Sequence, residues 1–474
     1  MLFVTATENH VIVIFGAAGD LARTKLLPAF YRLWAGGRMP ERWGIVGTGR
    51  TQRTDHDFRE IAWAAVETAV GDPADWHRFA EHLSYTAADF GPGRTHGLTV
   101  AIEDARRAVG GDPATLAYLS TPPGTYHDIS TGLVESGVAQ HGKIVFEKPF
   151  GRNRDDAAAL ARCLRRGLDD GQIFLIDHFL GKEAVQDLLS VRFANGLFEP
   201  VWNRHHVDHV QIDVLEAGDV GARGDFFEET GTVRDMLTTH LLHVLSFAAM
   251  DPPPNLSAGA IATEVEKVFA SVTPLEPGCV VRGQYEGYGE TPGVAADSDV
   301  ETFVAARVAI RNHRWSGVPF ILRTGKALAV KRSGVTVVFK APPRDMFAGG
   351  VADNGLEPNR LTLDLDRPGC LKLGLMTKEA GWDLSLQAST LGLDGAVEDG
   401  GVGAYERLLH DALLGDRTLF TSIDAVDRAW QIVEPVLADP PPLHRYRQGG
   451  WGPLAADRLI APNRWALGPQ VDGK

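Results

Sequence analysis

The run "HVIVIFGAAGDLA", residues 10–22, constrains the fold more than any other stretch of the chain. Val11 to Phe15 form an unbroken apolar, largely β-branched run, the signature of a strand buried on both faces. Gly16 and Gly19 follow at once, and "LARTKLLPAFYRLW" then carries helical spacing. A turn with no Cβ in the way lets the first helix present its N–H groups to a pyrophosphate. The pattern G-x-x-G-x-x-A is a variant of the dinucleotide fingerprint, and the same glycines also serve in strand-to-helix turns that bind nothing.

The rest of the first third repeats that grammar. "ERWGIVGTGRT", "TLAYLSTPP" and "GKIVFEKPFG" are short apolar runs closed by Gly or Pro and separated by helical patterns. They predict a parallel sheet with crossover helices. The second strand ends in "VGTGRT", without the acidic residue that usually holds a ribose hydroxyl. Arg50 there is either a partner for a 2′-phosphate or a solvated loop residue.

After Gly181 the grammar changes. "VDHVQIDVLEAG", "EKVFASVTPLEPGCVVRGQYEGY", "TFVAARVAIRNHRW", "PFILRTGKALAVKRSGVTVVFKA", "RLTLDLDRPGCLKLGLMTK" and "WDLSLQAST" read as strands of a mainly antiparallel sheet. Helices are expected at "GTVRDMLTTHLLHVLSFAAM", "AYERLLHDALLG" and "SIDAVDRAWQIVEPVLA", and the Gly-, Pro- and Trp-rich tail as irregular chain packed on the body. At 474 residues two domains are expected, 1–177 α/β and 178–474 α+β.

The balance of 47 basic against 61 acidic residues, net −14, argues against nucleic-acid and anionic-membrane partners. Cys163, Cys279 and Cys370 stand at no disulfide or thiolate-metal spacing, and no apolar run approaches a membrane span. The N-terminus lacks a basic leader pattern, so a cytoplasmic protein is expected.

Three polar clusters invite chemistry. In "FLIDHFLGKE", Asp177 follows an apolar strand, His178 is adjacent and Lys182 opens the next helix. This is either a polar turn with a capping Asp or a pocket for a phosphate monoester. In the second cluster Val233, Met236, Leu237, Leu241, Val244 and Leu245 recur at helical spacing, and His240 falls on that inward stripe. An inward histidine is either a satisfied core residue or a base. Asp235 lies about 140° round an ideal α-helix from His240, so it need not pair with it. His243 makes only a faint metal pair with it. Lys326 and Lys331, around "TGK", alone describe a basic hairpin.

Taken in order, "FGAAGDLARTKLLPAFYRL", "VFEKPFG", "IDHFLGKEAVQDLLSVRFAN", "RDMLTTHLLHVLSFAAMDPP", "VVRGQYEGY", "RNHRWSGVPFILRTGKAL" and "GGWGP" resemble the glucose-6-phosphate dehydrogenase family along the whole chain. The resemblance implies a Rossmann-like dinucleotide-binding domain followed by a larger α+β domain with a mainly antiparallel sheet. It implies oxidation of glucose 6-phosphate at C1 by NADP, in the oxidative pentose phosphate pathway, and a homodimer or homotetramer. By motif match, His240 is the implied general base and Asp177 the carboxylate that orients it. Lys148, His178, Lys182, Glu216, Asp235, Lys326 and Lys331 are the implied substrate contacts. Gly16, Ala17, Ala18, Gly19, Asp20, Leu21, Ala22, Arg23, Arg50 and again Lys148 are the implied cofactor contacts. No metal is implied. A cis peptide is expected at Pro149.

The chain departs from the family pattern at several places. Phe179 stands for Tyr, Leu175 for Arg, Thr238-Thr239 for Gln-Asn, His313 for Trp, Ala18 for a small hydroxyl residue and Glu228 for Asp. Phe179 and the altered neighbours of His240 motivate one alternative, a relative acting on another hexose 6-phosphate or on a modified sugar phosphate; a second alternative is a non-catalytic NADP- or sugar-phosphate-binding protein. Retention of His240 and Asp177 speaks against the second, since a binding module has no need of a base.

Overall fold

A computed structural model describes residues 8–347, 356–382, 384–395 and 401–468. The extreme N-terminal residues of the leader reading lie outside them. The chain gathers into two compact units. The first is Met1–Gly181, Pro253–Thr263 and Val402–Asp427, and the second is Lys182–Pro252, Glu264–Gly401 and Arg428–Lys474.

The first unit is built on six parallel strands: β1 (His10–Phe15), β2 (Trp43–Gly49), β3 (Leu83–Ala87), β4 (Ala114–Leu119), β5 (Gly142–Phe146) and β6 (Ile173–Ile176). Their spatial order is β6-β5-β4-β1-β2-β3, and Phe420–Thr421 adds an antiparallel edge beside β6. Val11 to Ile14 have no exposure at all, as a strand covered by helices on both faces requires. The order reverses between β1 and β4, and ligands of such sheets gather beyond the strands' C-terminal ends at that point. This is the expected α/β, Rossmann-like half.

The second unit carries a nine-stranded sheet. Its first eight strands in chain order are β7 (Val207–Leu215), β8 (Val280–Tyr285), β9 (Phe303–Ala309), β10 (Pro319–Gly325), β11 (Arg332–Phe339), β12 (Arg360–Asp364), β13 (Leu371–Lys378) and β14 (Leu386–Leu393). In space the order is β14-β13-β12-β11-β7-β10-β9-β8, with Leu443–Tyr446 parallel to β8 at the far edge. Most neighbours are antiparallel, as expected, but β7 and β10 run parallel at the centre. There Arg323 lies opposite Asp213 and pairs with it at 2.6 Å, both side chains buried. Burial pushes the Asp213 carboxyl up and the guanidinium pulls it back. Arg323 also bonds to Leu467 O and lies 3.9 Å from the Trp465 ring centroid, so the C-terminal tail packs on the sheet. One short helix, Ala455–Ile460, interrupts that otherwise irregular tail.

One segment differs from the expectation. "EKVFAS" was expected as strand, yet it ends the helix Ala258–Ser271. The reason is visible in Ile261, Val265, Val268 and Phe269, which are buried at helical spacing. Only β8 is extended in that stretch.

Candidate active site

In the first unit, the turn after β1 is tight. Gly16 has φ +78°, and its N–H and that of Ala17 both donate to Thr48 O on β2, at 2.9 and 3.2 Å. A Cβ on Gly16 would meet Ser120 O at 2.7 Å, so only glycine lets the chain pass beside the end of β4. The helical run that follows opens on a π-helical turn, Ala22–Leu26, whose N-cap residue Leu21 makes no side-chain cap. Ala17 and Ala22 are buried, Ala18 and Leu21 half-buried, and Gly19, Asp20 and Arg23 exposed. Arg50 is exposed just beyond β2. These residues fit a dinucleotide: a Cβ-free turn at the switch point, a helix start without a side-chain cap, and a cation beyond the second strand.

Two further corners of this unit lie beyond the ends of β5 and β6. After β5 come buried Glu147, half-buried Lys148 and a cis peptide to Pro149. After β6, Asp177 is 2% exposed and its Oδ1 accepts the Phe179 N–H at 2.9 Å, while Leu180 N–H donates to Asp177 O. Asp177 thus does cap its own turn, and that turn sets the backbone that carries His178. Phe179, where the family usually has Tyr, is buried.

Second-unit candidates fall into three groups. β7 and β10 end in step, and Glu216 and Lys326 follow their last residues. Lys326 Nζ donates to Glu216 Oε1 at 2.8 Å, the lysine almost fully buried and the carboxylate about one-third exposed. Lys182, at the N-cap of helix Glu183–Phe193, pairs with Asp366 at 3.2 Å. Asp366 also accepts the Ser333 N–H, which brings the start of β11 to the same place; exposed Lys331 lies two residues earlier.

The third group is the helix of His240. Gly231 interrupts helix Gly224–Thr232 at φ +67°, where a Cβ would meet Glu301 Oε1 at 2.6 Å. Val233–Leu241 is then π-helical, and Leu242–Ala249 returns to α. The α-twist expected for Asp235 and His240 is therefore not what this stretch adopts. In i→i+5 bonding, residues five apart lie nearly one turn apart, so Asp235 and His240 share a face, both buried. Thr238 Oγ1 donates to Val233 O and Thr239 Oγ1 to Asp235 O, so the two residues replacing Gln-Asn turn back onto the widened helix. His243 Nδ1–H donates to Thr239 O at 2.7 Å and the ring meets Phe269 edge to face, a core role.

Buried groups that the sequence did not reveal hold this helix at both ends. Glu301 Oε1 accepts the Val233 N–H at 2.9 Å, Glu301 O accepts from Thr232, and Arg282 pairs with Glu301 at 3.1 Å. At the far end Arg192 donates to Phe247 O and Met250 O, Trp202 to Ala248 O and Trp315 to Ala249 O. An anion at the N-terminus and a cation at the C-terminus also complement the macrodipole. Asp366 and Tyr405 were missed as well, and no local signal marks them, because their partners come from distant segments.

A parallel sheet of this order, with a glycine turn after β1 and a strand switch beside it, defines a dinucleotide-binding protein. The comparisons narrow that class. Residues 13–187 match the family description "Glucose-6-phosphate dehydrogenase, NAD binding domain", and residues 189–466 match "Glucose-6-phosphate dehydrogenase, C-terminal domain". The chain belongs to the glucose-6-phosphate dehydrogenase family. It is 39% identical to a glucose-6-phosphate 1-dehydrogenase of Aggregatibacter actinomycetemcomitans, over 96% of each chain. A solved glucose-6-phosphate 1-dehydrogenase of Mycobacterium avium is similar at TM-score 0.87 and 36% identity, covering 97% of this chain and 99% of that one. A glucose-6-phosphate dehydrogenase solved in complex with glucose 6-phosphate is similar at TM-score 0.87 and 30% identity, covering 96% and 97%.

Proposed function

We propose that this chain oxidises glucose 6-phosphate at C1 to the 6-phosphogluconolactone with NADP, in the oxidative branch of pentose phosphate metabolism. One observation carries the reading: the chain is similar over nearly its whole length to an enzyme solved with that substrate, and it keeps His240 and Asp235 on one buried helix face. Bound coenzyme supplies a hydride acceptor. His240 takes the proton of the anomeric hydroxyl as the C1–H bond breaks, and Asp177 supports the imidazolium. Asp235 and Glu216 accept hydrogen bonds from sugar hydroxyls, and Lys326 holds Glu216 in place through their ion pair. His178, Lys182 and Lys331 hold the phosphate, and Lys148 serves sugar and coenzyme. Gly16 to Arg23 cradle the pyrophosphate, and Arg50 pairs with a 2′-phosphate.

Two finer points join this reading. The outer strands β13 and β14 expose Leu375, Leu391 and Leu393, and among the described residues β14 is paired on one side only. An apolar sheet edge of that kind supports a homodimer, alone or doubled to a tetramer. A cytoplasmic site is supported by three free cysteines and by the lack, among the described residues, of a helix long and apolar enough to cross a membrane.

The test is initial-rate nicotinamide reduction with glucose 6-phosphate against other hexose phosphates, with NADP+ and with NAD+. Highest kcat/KM for glucose 6-phosphate with NADP+ is expected. Higher kcat/KM for another hexose phosphate would reassign the substrate, and no turnover with any would leave a binding protein.

A further inference from the structure

Glu147 ends the β5 corner with its carboxylate buried. Tyr118, on β4, donates its hydroxyl to Glu147 Oε1, and Tyr126 donates to Glu147 O at 3.1 Å. A third phenol, that of Tyr405, lies close enough to the Glu147 carboxylate to feel its charge. Burial pushes the Tyr118 and Tyr405 phenols up, so both keep their protons across the physiological range.

Tyr405 arrives from far along the sequence, at the start of helix Ala404–Leu414. That helix is tied to β5 a second time, through Lys143 Nζ donating to Ala412 O at 3.0 Å and Leu413 O at 2.9 Å. Arg32 pairs with Glu406 at 2.9 Å on the next residue. A Cβ on Gly181 would meet Ala404 O at 2.8 Å, so the turn of His178 is seated against the same helix start. The Tyr405 ring lies nearly parallel to the His178 imidazole, 14° between planes and 6.3 Å between centroids. One side chain therefore lies by both polar corners of this unit: its phenol feels the Glu147 carboxylate, and its ring face lies along His178.

We propose that Tyr405 is a positioning residue for the phosphate subsite, orienting the His178 imidazole toward a phosphate monoester. The inference rests on the reading of His178 as a phosphate holder. Tyr405→Phe keeps the ring against His178, whereas Tyr405→Leu removes it.

The experiment is a double-mutant cycle on the full-length enzyme, measured with glucose 6-phosphate and with unphosphorylated glucose. Tyr405→Leu is expected to lower kcat/KM for glucose 6-phosphate about tenfold, through KM, with kcat/KM for glucose unchanged, because only the phosphorylated substrate uses His178. Tyr405→Phe is expected to stay within about threefold of the parent for glucose 6-phosphate. In the His178→Ala background, Tyr405→Leu is expected to cost little more, since the residue it positions is gone. Equal losses for both sugars, or losses that add fully with His178→Ala, would overturn the positioning role. Unchanged KM for glucose 6-phosphate in His178→Ala alone would instead overturn the reading of His178, and the inference with it.

Discussion

The turn after β6 and the helix of His240 both carry implied catalytic groups, and they are built in opposite ways. Asp177 caps its own turn, accepting the amide of Phe179 two residues on, so the backbone that carries His178 follows from local chain chemistry. The two ends of the His240 helix are held from a distance. Its first amides are met by Glu301 and its last carbonyls by Arg192, Trp202 and Trp315, all buried and all distant in sequence. One site element can therefore be altered residue by residue, while the other depends on a frame that must be complete.

The largest expected effect separates chemistry from frame. His240→Asn is expected to lower kcat by about 10³-fold or more while NADP binding stays within about twofold, checked by steady-state rates and coenzyme titration. Comparable activity in that variant would remove His240 as the base. Next, Glu301→Ala is expected to destabilise the fold by about 3 kcal/mol, since it removes the carboxylate that meets buried Arg282 and the Val233 amide. Glu301→Gln keeps an acceptor for that amide and is expected to cost about 1 kcal/mol. Denaturant unfolding of the pair reads the difference, and equal costs would mean that charge rather than the hydrogen bond secures the helix start.

A smaller contrast lies between two lysines. Lys326, almost fully buried on Glu216, is expected to cost about 2 kcal/mol of stability as Lys326→Ala. Lys182, at 28% exposure beside Asp366, is expected to cost under about 1 kcal/mol as Lys182→Ala. Reversal of that order in the same unfolding assay would mean that Lys182 supports more of the fold than its single ion pair suggests.

The smallest effect concerns pH. Burial holds the His10 imidazole, on β1, below its ordinary value of 6.5, against the raising effect of its bond to Glu8 O. The folded state thus favours neutral His10. Its contribution is present above about pH 6.5 and is lost as pH falls through the lowered value. His10→Gln is expected to flatten that acid-side loss in a series of thermal melts, and an unchanged slope would assign the loss to other groups.

Much of this fold was legible because local chemistry and architecture agree. An apolar run closed by Gly16 and followed by a helix has few other ways to fold, and five of the six parallel strands were read from the same grammar; the short, half-buried β3 was not. "EKVFAS" was misread because Val268 and Phe269 suggest strand, while the spacing of Ile261, Val265, Val268 and Phe269 is that of a helix, and packing decided for the spacing. The inward face of His240 was legible, but its relation to Asp235 was not. An ideal twist separates them, and only the π-helical stretch after Gly231 restores a common face. Asp366, Glu301 and Tyr405 could not be seen from spacing at all. Each meets its partner through tertiary structure, and nothing in their own neighbourhoods distinguishes them from ordinary surface or helix residues.

In the proposed reaction a hydride leaves C1 of glucose 6-phosphate for the coenzyme. Turnover of glucose 6-phosphate deuterated at C1, followed by mass analysis of the reduced coenzyme, tests it directly. One deuterium carried into each reduced NADP is the result predicted here. Reduced coenzyme without deuterium, or no reduction at all, would contradict it.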